Sequence, residues 1–198
     1  SGTVMASVKT TVSEAADPGE YNFDSGTQGW EAQTYVDSQA ITAVSPGGTV
    51  KFGYGSLRCE VDLVNVAPDN ANKSKGETFV DMQNNPPAGI TVPVNLYGVT
   101  VSAWVYCPPE ASGPAGGPYN GLQLFFKDAT LKSRYSSNWV QILPGGGWFN
   151  ITDIVGVTAP GYQDAGFDYT RIRVVGVKIG TPYPPNGNPA NNINGYIY

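Results

Sequence analysis

Four aromatic side chains, Trp104, Tyr106, Phe125 and Trp139, share strand faces with groups that can donate or accept hydrogen bonds. In 99–107, Val99, Val101, Ala103, Val105 and Cys107 form a small apolar face, and alternation turns Trp104 and Tyr106 to the other side. In 122–127, Leu122, Leu124 and Phe126 point one way, and Gln123, Phe125 and Lys127 the other. In 138–142, Val140 and Ile142 alternate inward, which turns Trp139 and Gln141 outward; Arg134 and Tyr135 lie just before them. Flat rings stack on C–H-rich surfaces, while amides, ammoniums and guanidiniums bond hydroxyls at the rim. A pyranose ring presents both kinds of surface. If 97–107 and 120–128 are neighbouring strands, Trp104, Tyr106, Phe125 and Trp139 are stacking candidates. Gln123, Lys127, Arg134 and Gln141 then supply polar contacts. A covering loop explains any one outward ring equally well; the coincidence over three segments favours a binding face.

Covalent chemistry is poorly provided for. The chain has no histidine, which removes Ser-His-Asp and Cys-His nucleophiles and the commonest transition-metal ligand. Glycoside hydrolysis needs two carboxyl groups about 5 Å or about 6.5–9.5 Å apart. Among 16 Asp and Glu, Glu60 and Asp62 share a strand face, but no pair is set apart in a cleft. A lyase using Tyr and Arg could draw on Arg171, Arg173 and 12 tyrosines. An enzyme on the same scaffold, or a surface adhesion module whose rings meet protein, are the alternatives to saccharide binding. Asp24, followed by Ser25-Gly26-Thr27, offers a carboxylate beside turn carbonyls, an oxygen set that suits Ca2+; an Asx-turn explains the same residues.

The elements that must hold these residues are short apolar runs broken by Gly and Pro. Strands are predicted over 20–24, 29–36, 39–44, 48–53, 56–64, 77–83, 97–107, 120–128, 138–143, 148–154, 171–179 and 194–198. Pro46-Gly47-Gly48, Asn84-Asn85-Pro86-Pro87 and Pro144-Gly145-Gly146-Gly147 punctuate them, because Pro fixes φ and Gly supplies positive φ. Only 158–170 has room for a short helix. The pattern predicts an all-β fold, a two-sheet antiparallel β-sandwich of jelly-roll topology. Residues 1–19 read as a linker or N-terminal edge segment and 20–198 as the sandwich. Trp30 and Trp148, each at a strand start, read as packing anchors.

Composition sets the class of partner. Charged residues make up 14 % of the 198, well under the usual quarter, and 25 Gly, 16 Pro and 12 % aromatics take their place. Neutral polar ligands suit such a surface better than ionic ones. Net charge is −5 and 11 Lys and Arg are scattered, so nucleic acid is not expected as a partner; no apolar run approaches the roughly 20 residues that span a bilayer, so neither is a membrane. Cys59 and Cys107 fall at inward strand positions, as two buried thiols or as a disulfide. The N-terminal Ser1 and a last strand running to Tyr198 suggest one module of a longer chain.

Several segments together resemble a family. Tyr21-Asn22-Phe23-Asp24-Ser25-Gly26-Thr27-Gln28-Gly29-Trp30 resembles the F-E/D-x-G-T-x-G-W opening of β-jelly-roll carbohydrate-binding modules, and Gly55-Ser56-Leu57-Arg58-Cys59-Glu60-Val61 is similar to their G-S-L-x-V segment. Gln123-Leu124-Phe125-Phe126-Lys127-Asp128 with Asn138-Trp139 resembles their central strand pair. Gly176-Val177-Lys178-Ile179 and Gly195-Tyr196-Ile197-Tyr198 resemble the closing segments. The nearest families are 30, 11 and 27. The resemblance implies non-catalytic binding of a plant cell-wall polysaccharide or oligosaccharide, a β-glucan such as cellulose or a β-mannan, across a sheet face. It further implies a secreted, extracellular monomeric module, covalently attached to a catalytic domain, usually a glycoside hydrolase. Such modules often hold a structural Ca2+ between the opening motif, here Asp24, and an Asp of the last strand, which has no counterpart up to Tyr198.

Overall fold

The computed structural model describes residues 8–11, 19–23, 26–32, 40–51, 55–136, 139–182 and 185–198. The strands are β1 (Val8–Thr11), β2 (Glu20–Tyr21), β3 (Trp30–Ala32), β4 (Ile41–Gly47), β5 (Ser56–Leu63), β6 (Lys75–Asp81) and β7 (Thr100–Cys107). They continue with β8 (Gly121–Asp128), β9 (Ser133–Tyr135), β10 (Val140–Gln141), β11 (Gly147–Ile154), β12 (Tyr162–Gln163), β13 (Ile172–Gly180) and β14 (Ile193–Ile197). A four-residue helix, α1 (Asn70–Lys73), and short 3-10 turns at Pro109–Ala111 and Pro189–Asn191 sit in the connections.

These strands make an all-β, two-sheet antiparallel sandwich of the jelly-roll kind. One sheet runs β12-β9-β8-β13-β6-β3, with β10 also pairing β8. The opposite layer joins β11-β7-β1-β2 to β14-β5-β4. The seam is a reciprocal pair of backbone bonds, Tyr106 N–H to Tyr198 O at 2.8 Å and Tyr198 N–H to Tyr106 O at 3.2 Å.

Alternation builds the core between the layers. In β7, Val101, Ala103, Val105 and Cys107 are buried while Thr100, Ser102, Trp104 and Tyr106 are half-buried. Leu122, Leu124 and Phe126 of β8 and Val175, Val177 and Ile179 of β13 meet them from the other sheet in one buried cluster. Trp30 anchors the open end of this core, edge-on to Tyr21 at 5.8 Å and to Phe23 at 5.7 Å. Cys59 and Cys107 are both buried and free, so the disulfide alternative is not realised. Burial pushes the Cys59 thiol up to about 12 and Cys107 further still.

Several expectations need correction. Strands β7 and β8 are not neighbours but lie in opposite sheets, because the chain between them crosses the sandwich edge. The 158–170 region forms turns and the short strand β12 in place of a helix, and Gly48–Lys51 is not strand. Strand β9 went unpredicted because Ser133-Arg134-Tyr135 is too short and polar to show a period.

Arg134 is not a surface contact. On β9 it points inward, is fully buried, and pairs with Asp153 of β11 in the other sheet. Its Nη2 also donates to Thr158 O at 2.8 Å. The next turn is fixed by Asp128, whose carboxylate accepts from Thr130 N at 2.8 Å, Lys132 N at 3.1 Å and Asp168 N at 3.0 Å. Burial would raise its pKa, but a bond from the Thr130 hydroxyl at 2.7 Å, together with these amides, outweighs it and holds the carboxyl below the ordinary range. Together Arg134 and Asp128 fix β9 against β8. Replacing Arg134 with Met strands the Asp153 carboxylate and should cost about 3–5 kcal/mol, read as a lower urea midpoint. An unchanged midpoint would show that the ion pair does not hold the layers together.

Candidate functional site

The outer face of the β12-β9-β8-β13-β6-β3 sheet collects aromatic and polar groups in rows set by strand register. One row runs Glu31, Phe79, Gly176, Phe125, Tyr135 and Tyr162 across six strands. At about 4.8 Å per strand it spans roughly 24 Å. The row beside it holds Glu77, Lys178 and Gln123, and the next holds Lys75, Gly180, Gly121 and Gln141. On the far side lie Asp81, Val174, Lys127 and Ser133.

Glycine shapes this surface. A β-carbon at Gly176 would collide with the Phe125 ring and stand 2.6 Å from Thr78 O. The bare backbone therefore lets Phe125 lie along the sheet, where it is fully buried as a floor. Tyr135 packs on that floor at 5.8 Å and 34°, and Tyr162, 55 % exposed, follows at 6.0 Å. Trp139 uses a second glycine trench. Its indole occupies the space a side chain at Gly121 would need and comes within 3.0 Å of a β-carbon built at Gly180. The ring stays half-buried beside the row.

The polar groups interlock. Tyr135 OH donates to Glu77 Oε1 at 2.7 Å, and Gln123 Nε2 donates to Ser136 O at 3.0 Å. Lys178 Nζ donates to Gln123 Oε1 at 3.4 Å and stands 4.8 Å from the Tyr135 centroid and 5.8 Å from Trp139. Burial, then the nearby Lys75, lower the Lys178 pKa, with Glu77 acting against them. Arg173 Nε donates to Asp81 Oδ1 at 3.0 Å, and that bond holds the Asp81 carboxyl below its ordinary range. The two carboxylates among β6 and β13 are thus both engaged in bonds within the protein.

Of the residues singled out in the sequence, Gln123, Phe125, Lys127, Trp139 and Gln141 come together here. Trp104 and Tyr106 do not. They lie on the outer face of the opposite layer, where Trp148 and Tyr198 stand 5.9 Å and 6.4 Å from Tyr106. There Lys51 Nζ sits 4.1 Å over the Trp104 ring. Glu60 and Asp62 face that same side, exposed or paired, Asp62 with Lys73 at 2.6 Å. Asp24 lies outside the described residues. Beside it, Gln28 Oε1 accepts from Phe23 N at 2.9 Å and Gln28 Nε2 donates to Asn22 Oδ1 at 3.1 Å.

Sequence reasoning missed Glu77, Phe79, Tyr162, Gly176 and Lys178. The signal was present for most of them: Glu77, Phe79 and Asp81 alternate against Gly76, Thr78 and Val80, all of them buried.

Comparison with known proteins adds little beyond this geometry. No family model and no curated protein matches the sequence. Among solved structures, one described as a non-crystalline-cellulose-specific carbohydrate-binding module of family 28 has 14 % identity and a TM-score of 0.49. The likeness covers 86 % of this chain and 84 % of that one.

Substituting Gly176 by Ala should lift Phe125 off the sheet and cost about 1–3 kcal/mol. The near-UV circular dichroism of the Phe125–Tyr135 stack should change with it. A variant as stable as the parent, with an identical aromatic spectrum, would remove the glycine from its shaping role.

Proposed function

We propose that this chain is a non-catalytic binder of a β-linked cell-wall polysaccharide, a β-glucan such as cellulose or a β-mannan, lying across the strands of the Phe79–Tyr162 row. The observation that carries the reading is the register-aligned row of rings with Trp139 beside it, interleaved with amide, ammonium and hydroxyl groups. Tyr135, Tyr162, Phe79 and Trp139 offer stacking surface over the Phe125 floor, and Gln123, Lys178 and Gln141 offer rim donors and acceptors. A binding role is also favoured over hydrolysis because Glu77 and Asp81 are occupied by Tyr135 and Arg173. The reading places the module outside the cell, as a monomer attached to a glycoside hydrolase that it keeps on its substrate.

Affinity electrophoresis against cellulose derivatives, mixed-linkage glucan, xyloglucan, mannan and xylan tests this. Retardation by at least one is expected. Trp139→Ala should lose about 2 kcal/mol of binding, roughly thirtyfold, while Trp104→Ala binds as the parent does. Retardation by none of the polymers, or loss with Trp104→Ala alone, overturns the reading.

The same reading carries a structural Ca2+ at Asp24, held by its carboxylate and turn carbonyls. Calcium should then raise the Tm and EDTA lower it, with Asp24→Ala insensitive to both; a Tm indifferent to calcium removes the ion.

A further inference from the structure

Lys178 sits at the centre of this face under unusual conditions. Its strand, β13, is flanked on both sides, so the side chain rises between Glu77 of β6 and Gln123 of β8. Its ammonium has one long hydrogen bond, to Gln123, and otherwise faces the Tyr135 and Trp139 rings. Among the described residues no carboxylate is in ion-pair contact with it. Glu77, its neighbour in the row, is fully buried and accepts from Tyr135 OH. A second lysine, Lys75, lies one row away as the register partner of Gly180. Ring faces attract a cation, yet they leave its N–H directions without acceptors. The result is a partly dehydrated positive charge with donors to spare, on a protein whose net charge is −5.

A sugar hydroxyl would meet those donors with an ordinary hydrogen bond. A carboxylate would meet them with a shorter charge-assisted one and also neutralise the site. Placement favours the second. A pyranose stacked on Trp139 would lie within reach of Lys178, whose Nζ stands 5.8 Å from that ring, and the equatorial C5 carboxyl of a hexuronic acid projects from the edge of such a pyranose.

We propose that Lys178 is the carboxylate-reading group of a uronic-acid subsite beside Trp139, so that the polymer held on this face carries hexuronate units. The proposal rests on the saccharide reading of the same face and departs from it on one point: the β-linked chain carries acidic units, where a plain glucan or mannan has none. The titratable groups facing Lys178 are Lys75 and Glu77 on β6 and Tyr135 on β9.

Calorimetric titration of the whole chain with β-1,4-linked oligoglucuronate and with a cello-oligosaccharide of equal length tests it. The acidic ligand should bind roughly tenfold or more tightly at about 0.05 M salt, and the advantage should shrink by about 0.5 M. It should vanish in Lys178→Met, which keeps the stem against the rings, and return in Lys178→Arg. Loss of the Lys178 rim donor should weaken neutral-ligand binding as well, but by less than the acidic ligand loses. Because Lys178 titrates below an ordinary lysine, the advantage should also fade before pH reaches about 10.4. Equal affinities for the two ligands, or a preference that survives Lys178→Met, overturn the subsite and leave saccharide binding standing. Binding of neither ligand by the parent overturns both.

Discussion

The face described above depends on one steric allowance, the absence of a side chain at Gly176. Strand β13 is the hub of its sheet, paired to β8 on one side and β6 on the other. A β-carbon at its midpoint would prop Phe125 upright. Without it the ring lies flat, Tyr135 packs on the ring, and the Tyr135 hydroxyl comes within reach of Glu77. The neighbouring row repeats the device with Gly121 and Gly180 beneath Trp139. Both aromatic surfaces therefore exist because the backbone was left bare at Gly176 in mid-strand, where glycine otherwise weakens a strand, and at Gly121 and Gly180 at the strand ends.

What holds the supporting strands is a different kind of interaction. Strand β9 is only three residues long, and its register is secured by Arg134 reaching through the sandwich to Asp153 and by the Asp128 turn. The core itself is apolar alternation between two layers, and both of its cysteines are free. Placing a buried ion pair behind the platform fixes Tyr135 from below while leaving its ring half-buried. The polar groups that remain accessible are then those on the outer rows.

Much of the fold was legible in the sequence. The alternation in 99–107 and 120–128 gave two long strands with the correct inward faces, 171–179 was also placed as a strand, and turn chemistry separated them. The site was only half legible. Parity put Trp104, Gln123 and Phe125 outward correctly, but parity says nothing about which sheet a strand joins, so Trp104 and Phe125 were placed together when they face opposite ways. Arg134 was misplaced because β9 was not read as a strand, and its inward parity is visible only once it pairs with β8. Lys178 and Gly176 lay in a segment read for its motif and not for the face it presents. Long-range pairing is what the sequence lacks, and the joining of Trp104 to the Phe125 face traces to it.

The account's central claim is that the sheet face carrying Tyr135, Trp139 and Lys178, and not the opposite face carrying Trp104 and Trp148, holds a saccharide chain. Mapping amide shifts of the isotope-labelled protein during titration with a bound oligosaccharide tests this most directly. The account predicts shifts concentrated on β6, β8, β9 and β13, with the Trp139 indole N–H among the largest. Shifts concentrated on β7 and β11, centred on the Trp104 and Trp148 indoles, would contradict it.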